Sequence, residues 1–230
     1  RFDASKGKEN RFNMDIKQAR KNAIEQQIRP WGGLNVRANQ ALSDIPREKF
    51  APEEYQKLVF ADIEIPLNSV DKMLSPKIEG RILDSLNLQG NEDVLEVGTG
   101  SGYFTSVLAK LSKSVQSIEI DQELHDLAKE NMKKLKLKNI TLIKDDFDCS
   151  NFQEEQFDAI VISSALPLIQ DDLKKLLTIG GKLFVVIGSK NHMHATLISR
   201  INELDWHSKS LFETHLEFMK GHEPLEQFSF

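Results

Sequence analysis

A glycine-rich turn between a strand pattern and a helix pattern is the feature that most constrains how this chain can fold. The segment DVLEVGTGSGYFTSVLAKL covers residues 93–111. Its first five residues suit a short buried strand, and the residues from Tyr103 onward show helical spacing. Between the two patterns, Gly98, Gly100 and Gly102 allow the backbone to bend tightly and to approach a ligand. A strand, a glycine turn and a helix in this order are typical of a nucleotide-binding α/β domain.

Further strand patterns follow the turn and alternate with helix patterns. Strands are predicted at residues 114–120, 139–144, 157–163 and 181–188, and helices at residues 103–111, 122–135 and 169–177. This alternation predicts crossover connections and a parallel sheet. The apolar runs AIVI and LFVVI are typical of strands that are covered on both faces.

The end of the chain shows a different pattern. Residues 192–203, HMHATLISRINE, are predicted to form a helix, and residues 206–219 alternate as one or two strands. Strands that follow one another without a helix predict antiparallel pairing at a sheet edge. His192 and His194 would point in different directions on a helix, so we expect no metal site there.

Helix patterns dominate the first part of the chain, at residues 14–27, 37–42 and 52–58 and again from Pro76. We therefore predict a mainly helical N-terminal cap over residues 14–90. Residues 91–230 are predicted to form an α/β domain with a Rossmann-like, doubly wound, mostly parallel seven-stranded sheet and an antiparallel C-terminal edge. Residues 1–13 are polar and lack the apolar run of a secretory signal, and we interpret them as a leftover of expression or a disordered tail.

Composition excludes several classes of function. The net charge of −5 and a pI of about 5.7 leave no basic footprint for a nucleic acid. No run of 18 apolar residues is present, so neither a membrane span nor a membrane partner is expected. The single cysteine, Cys149, excludes an intramolecular disulfide and favours a cytoplasmic location.

Acidic residues at the ends of three successive strands indicate what the glycine turn binds. Glu96 precedes the turn, Glu119 ends the next strand and Asp146 follows the third. A carboxylate about 20 residues beyond such a turn can accept hydrogen bonds from ribose hydroxyls. The spacing G-x-G-x-G differs from the dinucleotide pattern, and three acids without a nearby Lys or Arg disfavour a pyrophosphate. We therefore predict S-adenosylmethionine, whose sulfonium and ammonium groups are both positive.

In the turn and in segments on both sides of it, the chain resembles the protein-L-isoaspartate O-methyltransferase family. The segments that carry the resemblance are QQIRPWG (26–32), IPREKFAPEEY (45–55), FADIEIPL (60–67), MLSPKIEGRIL (73–83), VLEVGTGSGYFTSVLA (94–109), SIEIDQEL (117–124), FDAIVISSALP (157–167) and GGKLFVVIG (180–188). The resemblance implies methyl transfer from S-adenosylmethionine to the carboxylate of L-isoaspartyl residues in damaged proteins, a repair reaction. The expected partner is therefore a protein or peptide that contains isoaspartyl residues.

The same resemblance implies which residues form the site. The expected cofactor-binding residues are Glu96, Gly98, Thr99, Gly100, Gly102, Glu119, Ile120, Asp146 and Ser163. Ser75 and Asp62 are expected beside the acceptor, although Ser75 can also be interpreted as a helix cap and Asp62 as a turn cap. A carboxylate acceptor is ionised at neutral pH, so this reaction needs no general base.

The loop at residues 68–78 departs from the family pattern. It has lost both glycines of the family's loop, is one residue shorter before the serine, and has Lys72 and Met73 where the family has Gln and Thr. Two alternatives therefore stay open: a methyltransferase of the same fold with another acceptor, and a non-catalytic domain that binds the cofactor. A hydroxyl acceptor would require a base, for which Asp62 is the candidate. The glycine spacing disfavours a nicotinamide dehydrogenase.

Overall fold

The computed structural model describes residues 16–31 and 34–224, and nine strands lie within that part of the chain. A small hairpin is formed by β1 (Ile65–Pro66) and β2 (Lys72–Met73). The main sheet is formed by β3 (Asp93–Val97), β4 (Ser114–Glu119), β5 (Ile140–Lys144), β6 (Phe157–Leu166), β7 (Leu177–Ser189), β8 (His192–Arg200) and β9 (Trp206–Glu213). Its strand order is β5-β4-β3-β6-β7-β8-β9.

The helices cover the faces of the main sheet and form most of the N-terminal segment. They are α1 (residues 16–22), α2 (Val36–Asp44), α3 (Pro76–Leu86), α4 (Tyr103–Leu111), α5 (Gln122–Lys133) and α6 (Asp171–Lys175). Helix α1 continues as a π-helix at Ala23–Ile28 and a 3-10 turn at Arg29–Trp31. Further 3-10 turns lie at Arg47–Lys49, Glu53–Tyr55 and Cys149–Asn151.

The pairing of the strands confirms the predicted fold class. Strands β3 to β7 are parallel to one another, whereas β8 pairs antiparallel with β7 and β9 antiparallel with β8. From β3 the chain moves outward through β4 and β5 and then returns to place β6 on the other side of β3. Ligands of open α/β sheets bind at such a reversal of strand order, beyond the carboxyl ends of the strands. A ligand site is therefore expected at the carboxyl ends of β3 and β6.

The predicted helix at residues 192–203 is wrong, because this segment forms strand β8. Strand β8 is buried on both faces. The buried residues Met193 and Ala195 point to one side of the sheet, and the buried residues Thr196 and Ile198 point to the other side. A strand covered on both faces shows no apolar alternation, so its pattern is easily taken for a buried helix. Two other predicted helices are shorter than expected, since residues 52–58 form only the turn Glu53–Tyr55 and residues 169–177 only α6.

The N-terminal segment and the sheet share one hydrophobic core. Leu42 of α2 and Leu83 of α3 belong to the same buried cluster as Val94 of β3, Leu108 of α4 and Phe184 of β7. The proposed boundary near residue 90 therefore stays a prediction, and the predicted tail at residues 1–13 lies outside the described residues. Within the described ranges, none of the helices has the length and apolar character needed to cross a bilayer.

One buried ion pair ties this segment together. Both oxygens of the Glu79 carboxylate, on α3, accept hydrogen bonds from Nη1 of Arg47 at 2.5 and 2.6 Å. Arg47 also donates to the carbonyl oxygens of Val59 at 2.9 Å and Leu74 at 2.6 Å. Because Arg47 and Glu79 are almost completely buried, each charged group is stabilised by the other and not by water.

Candidate active site

The glycine turn adopts backbone conformations that side chains rarely tolerate. Gly98 has φ +96° and Gly100 has φ +54°, both in the left-handed region that favours glycine. Space is also restricted at Gly98, because a Cβ atom there would lie 3.3 Å from Cβ of Ser163 on β6. Gly102, with φ +81°, precedes α4 and packs against Ala128 of α5. The turn thus brings bare backbone to the point where the strand order reverses.

A cavity lies at the carboxyl ends of β3 to β6. The predicted residues that line it are Gly98, Gly100, Glu119, Ile120, Asp146 and Ser163. A further part of the wall comes from the β1–β2 hairpin with its flanking residues and from the segment after β9. The residues of that wall are Glu64, Val70, Asp71, Lys72, Leu74, Leu216, Glu217, Phe218, Met219 and Lys220. Residues far apart in the chain therefore enclose the space in front of the glycine turn.

Glu119 connects the end of β4 to the glycine turn. Its carboxylate accepts hydrogen bonds from the backbone N–H of Gly100 at 2.8 Å and of Asp121 at 2.9 Å. Only 5% of Glu119 is exposed, and that surface faces the cavity. The carboxylate is therefore held in position before any ligand arrives, as a group that receives ribose hydroxyls needs to be.

Ser163 presents a polar atom without a partner to the same cavity. Its Oγ atom is buried, and no other described residue hydrogen-bonds to it. A buried hydroxyl that lacks a hydrogen bond costs about 1–3 kcal/mol. A polar ligand in the cavity would remove that cost. Together with the bare glycine backbone and the prearranged Glu119, this unpaired hydroxyl fits a polar nucleoside ligand.

Carboxylates dominate the electrostatics of the cavity. Six acidic residues line it, Glu64, Asp71, Glu119, Asp145, Asp146 and Glu217, against two lysines. Such an excess of negative charge favours a cationic ligand. The prediction that no lysine lies near the site is wrong, because Lys72 and Lys220 are both in the lining. Lys72 comes from the cap and Lys220 from the C-terminal segment. Because both lie far from the glycine turn in the sequence, their position in the cavity could not be predicted from local patterns.

Glu96 and Thr99 lie behind the cavity and do not line it. The Glu96 carboxylate is fully buried and accepts hydrogen bonds from the hydroxyls of Thr105 at 2.5 Å and Ser117 at 2.6 Å. Thr99 Oγ1 lies 2.6 Å from Ser117 Oγ. These contacts support the glycine turn from the side of α4. Burial raises the pKa of Glu96 to about 7, and the nearby charge of Glu119 adds to the effect.

We expect the stability of the protein to depend on pH through Glu96. Its pKa of about 7 in the folded state exceeds the usual value of 4.5, so the folded state binds the proton more tightly. The resulting stability is full below about pH 4.5 and is lost as the pH rises through about 7. The shift corresponds to about 3 kcal/mol in the free energy of unfolding. Urea unfolding at about pH 5 and about pH 8 measures this loss, and Glu96→Gln should remove that share of it.

The matched control is Glu203→Gln, which changes an exposed glutamate in the turn between β8 and β9. This variant should keep the pH dependence of the unchanged protein. If Glu96→Gln also kept the full dependence, the raised pKa of Glu96 would be wrong.

The match to a family model decides the family. The model described as "Protein-L-isoaspartate(D-aspartate) O-methyltransferase (PCMT)" matches residues 19–216, which is most of the chain. The chain belongs to the protein-L-isoaspartate O-methyltransferase family. This confirms the resemblance inferred from the sequence motifs.

Individual members of this family agree with that assignment. The protein-L-isoaspartate O-methyltransferase of Syntrophus aciditrophicus is 34% identical over 180 residues, which cover 78% of this chain and 83% of that protein. The enzyme of the same name from Petrotoga mobilis is 31% identical over 191 residues, which cover 83% of this chain and 90% of that protein.

A solved structure shows the same fold. A Plasmodium falciparum protein, described as a protein-L-isoaspartate O-methyltransferase in complex with S-adenosyl-L-homocysteine, superposes with a TM-score of 0.75 at 22% identity. The match covers 87% of this chain and 98% of that one. At this identity the likeness supports the fold alone.

Of the two predicted acceptor-side residues of this methyltransferase family member, Ser75 lies at the start of α3 and Asp62 lies before β1. Ser75 is the N-cap residue of α3, is 9% exposed, and its side chain makes no capping hydrogen bond. The Asp62 carboxylate accepts a hydrogen bond from the backbone N–H of Lys77, at 3.3 Å. Neither lines the cavity, but Leu74, which precedes Ser75, does. Both residues thus lie at the first turn of α3, and their role beside the acceptor stays a prediction.

Sequence reasoning missed a set of ion pairs in the wall of the cavity. Lys72 of β2 lies 3.0 Å from Glu217 and 3.6 Å from Glu64. Lys220 lies 3.1 Å from Asp71, so two lysines join the β1–β2 hairpin to the C-terminal segment. The hydrogen bond to Glu217 is the main cause that raises the pKa of Lys72. No local pattern could reveal the pairs Lys72–Glu217 and Lys220–Asp71, since their members lie more than 140 residues apart.

Proposed function

We propose that this protein is an S-adenosylmethionine-dependent O-methyltransferase that methylates the carboxylate of L-isoaspartyl residues in damaged proteins. One observation carries the proposal. In a chain of the isoaspartate methyltransferase family, the glycine turn faces a cavity where the prearranged Glu119 carboxylate and the unpaired Ser163 hydroxyl both lie.

The proposed cofactor site assigns a task to each residue at the strand ends. Glu119 would receive the ribose hydroxyls, and Asp146 would lie on the side of the adenine. The backbone at Gly98 and Gly100 would approach the ligand without side-chain collisions. Ser163 would donate its hydroxyl hydrogen to a polar atom of the ligand. When bound, S-adenosylmethionine supplies an electrophilic methyl group.

The acceptor carboxylate needs positioning rather than activation. With an unperturbed pKa of about 4, it is already ionised at neutral pH, so the protein does not have to remove a proton. Its own residues must hold the carboxylate in line with the methyl group and keep water away. The cap supplies the candidates, because Ser75 directly follows the lining residue Leu74, Asp62 contacts the first turn of α3, and Lys72 contributes a positive charge to the cavity wall.

A second candidate acceptor is favoured by the loop at residues 68–78. Lys72, which replaces the usual glutamine of the family, is already engaged by Glu217 and Glu64 instead of being free for an acceptor. The same cofactor site would then serve another protein group or a small molecule. If that acceptor were a hydroxyl, Asp62 would be needed as a base, and Asp62→Asn would abolish turnover.

We also infer that the protein works in the cytoplasm. The support is its single cysteine: Cys149 forms no disulfide and lies partly buried, as is common in a reducing compartment. Fractionation of cells with an antibody against the protein tests this location, and recovery outside the cytoplasm would contradict it.

The function is tested by label transfer from S-adenosylmethionine that carries a radioactive methyl group. Two peptides of the same sequence are compared, one with L-isoaspartate and one with aspartate at the same position. We expect label in the isoaspartyl peptide alone, and the label should be lost in mild base, as methyl esters are. Equal labelling of both peptides would contradict the acceptor. Binding of the cofactor without transfer to either peptide would favour another acceptor or a non-catalytic domain.

A further inference from the structure

Three side chains with metal-binding atoms meet where β8 begins and β9 ends. His192 and His194 lie two residues apart on β8, and residues at positions i and i+2 of a strand point to the same face of the sheet. The strand pairing sets His194 directly opposite Glu213 of β9. One nitrogen of each histidine and one carboxylate oxygen of Glu213 all lie within 4.8 Å of one another. The expectation that the histidines point apart is wrong, because the segment is a strand and not a helix.

The two imidazole rings are placed as ligands of one ion would be. Their Nε2 atoms are 2.8 Å apart, and the rings cross at 81°. Two N–H groups cannot face each other at this distance, so at least one nitrogen directs a lone pair into the gap. In a tetrahedral zinc site with Zn–N bonds of 2.0–2.1 Å, two ligand nitrogens are about 3.3 Å apart. A movement of about half an ångström would therefore be enough to admit an ion.

Neither the fold nor the proposed methyl transfer uses these residues. His192 and Glu213 are exposed and His194 is half-buried, so none of the three fills the core. The cavity lining includes none of them. Nevertheless, Glu213 leads within three residues to Leu216, which starts the C-terminal part of the cavity wall. The cluster thus directly precedes that part of the cavity wall in the chain.

We propose that His192, His194 and Glu213 form a binding site for a divalent transition-metal ion of the zinc class. The ligands are Nε2 of each histidine and one carboxylate oxygen, and a fourth position is open to water or to another ligand. Two imidazole donors favour zinc over Mg²⁺ and Ca²⁺, which prefer oxygen ligands. The bound ion fixes the ends of β8 and β9 and so steadies the segment that continues into the cavity wall. This site does not depend on the proposed function.

The test is titration of the full chain with Zn²⁺ after treatment with a chelator, followed by calorimetry, with Co²⁺ as a spectroscopic probe. We expect one ion per chain, a visible Co²⁺ spectrum of a four-coordinate nitrogen and oxygen site, and an unfolding temperature raised by several degrees. His194→Ala and Glu213→Gln should each weaken Zn²⁺ binding by about 100-fold or more. Substitution of residues that only hydrogen-bond to metal ligands already lowers metal affinity by about 10- to 100-fold.

The matched control is His207→Ala, which removes an exposed histidine at the opposite end of β9. It should bind Zn²⁺ as the unchanged protein does. Because the substituted positions are exposed or half-buried, circular dichroism without metal should be the same for all variants. Equal Zn²⁺ affinity in the unchanged protein and His194→Ala, or no binding of Zn²⁺ to the unchanged protein, would overturn the proposal.

Discussion

Glu119→Gln should lower the affinity for S-adenosylmethionine by about 100-fold. A hydrogen bond to a charged group contributes about 1.5–3 kcal/mol, and the Glu119 carboxylate is proposed to receive two ribose hydroxyls. Partial loss of both bonds amounts to about 3 kcal/mol, which corresponds to about two powers of ten in the dissociation constant. The amide also presents an N–H₂ group where the carboxylate now accepts from the backbone of Gly100 and Asp121. Calorimetric titration with the cofactor measures the change.

The control for this experiment is Glu123→Gln, which makes the same chemical change in the first turn of α5 on an exposed residue. Its affinity should stay within about twofold of the unchanged protein. Thermal unfolding without the cofactor then separates a lost ligand contact from a distorted turn. Equal affinities for the two variants would show that Glu119 does not hold the cofactor.

Arg47→Met should cause the largest loss of stability, about 3–5 kcal/mol near pH 8. The substitution removes the guanidinium group that binds both oxygens of Glu79 and the carbonyl oxygens of Val59 and Leu74. Breaking a buried ion pair on one side leaves an uncompensated charge, and losses of this size are typical. Leu74 lies in the cavity wall, so the cofactor site should loosen as well. Urea unfolding measures the stability.

The same variant should lose less stability near pH 5 than near pH 8. Burial raises the pKa of Glu79 to about 7 even though Arg47 lowers it, so removing Arg47 raises the pKa further. A group whose pKa is raised in the folded state stabilises the fold fully below its unfolded pKa, near 4.5, and this stability is lost as the pH rises through the folded value. At low pH the unpaired Glu79 therefore keeps its proton and is neutral in the core.

A second substitution tests whether the unpaired charge is the cause. Arg47→Met combined with Glu79→Leu removes both charges and should regain most of the stability, because an apolar pair can replace a buried ion pair. Arg37→Met, on the exposed face of α2, is the control and should change stability by less than about 0.5 kcal/mol. If the double variant were as unstable as Arg47→Met, the carbonyl contacts and not the charge of Glu79 would be responsible.

Local patterns in the sequence were enough to predict most of the sheet and one half of the site. The strands from β3 to β7 and the glycine turn could be predicted because each depends on residues next to one another in the chain. The strand-end position of Glu119 and Asp146 then followed from the parallel topology, since the carboxyl ends of parallel strands meet at one edge. Strand β8 was the error, because burial on both faces removes the alternation that marks a strand.

The sequence by itself therefore determined the order of the strands from β3 to β7, the nucleotide-type turn and the family. Only the tertiary structure decided which polar side chains meet across the chain: Arg47 with Glu79, Lys72 with Glu217, and the two histidines of β8 with Glu213. The physical reason is that periodicity and turn geometry are properties of neighbouring residues. Ion pairs and metal-binding clusters depend instead on strand order and register, which arise when distant segments pack against each other.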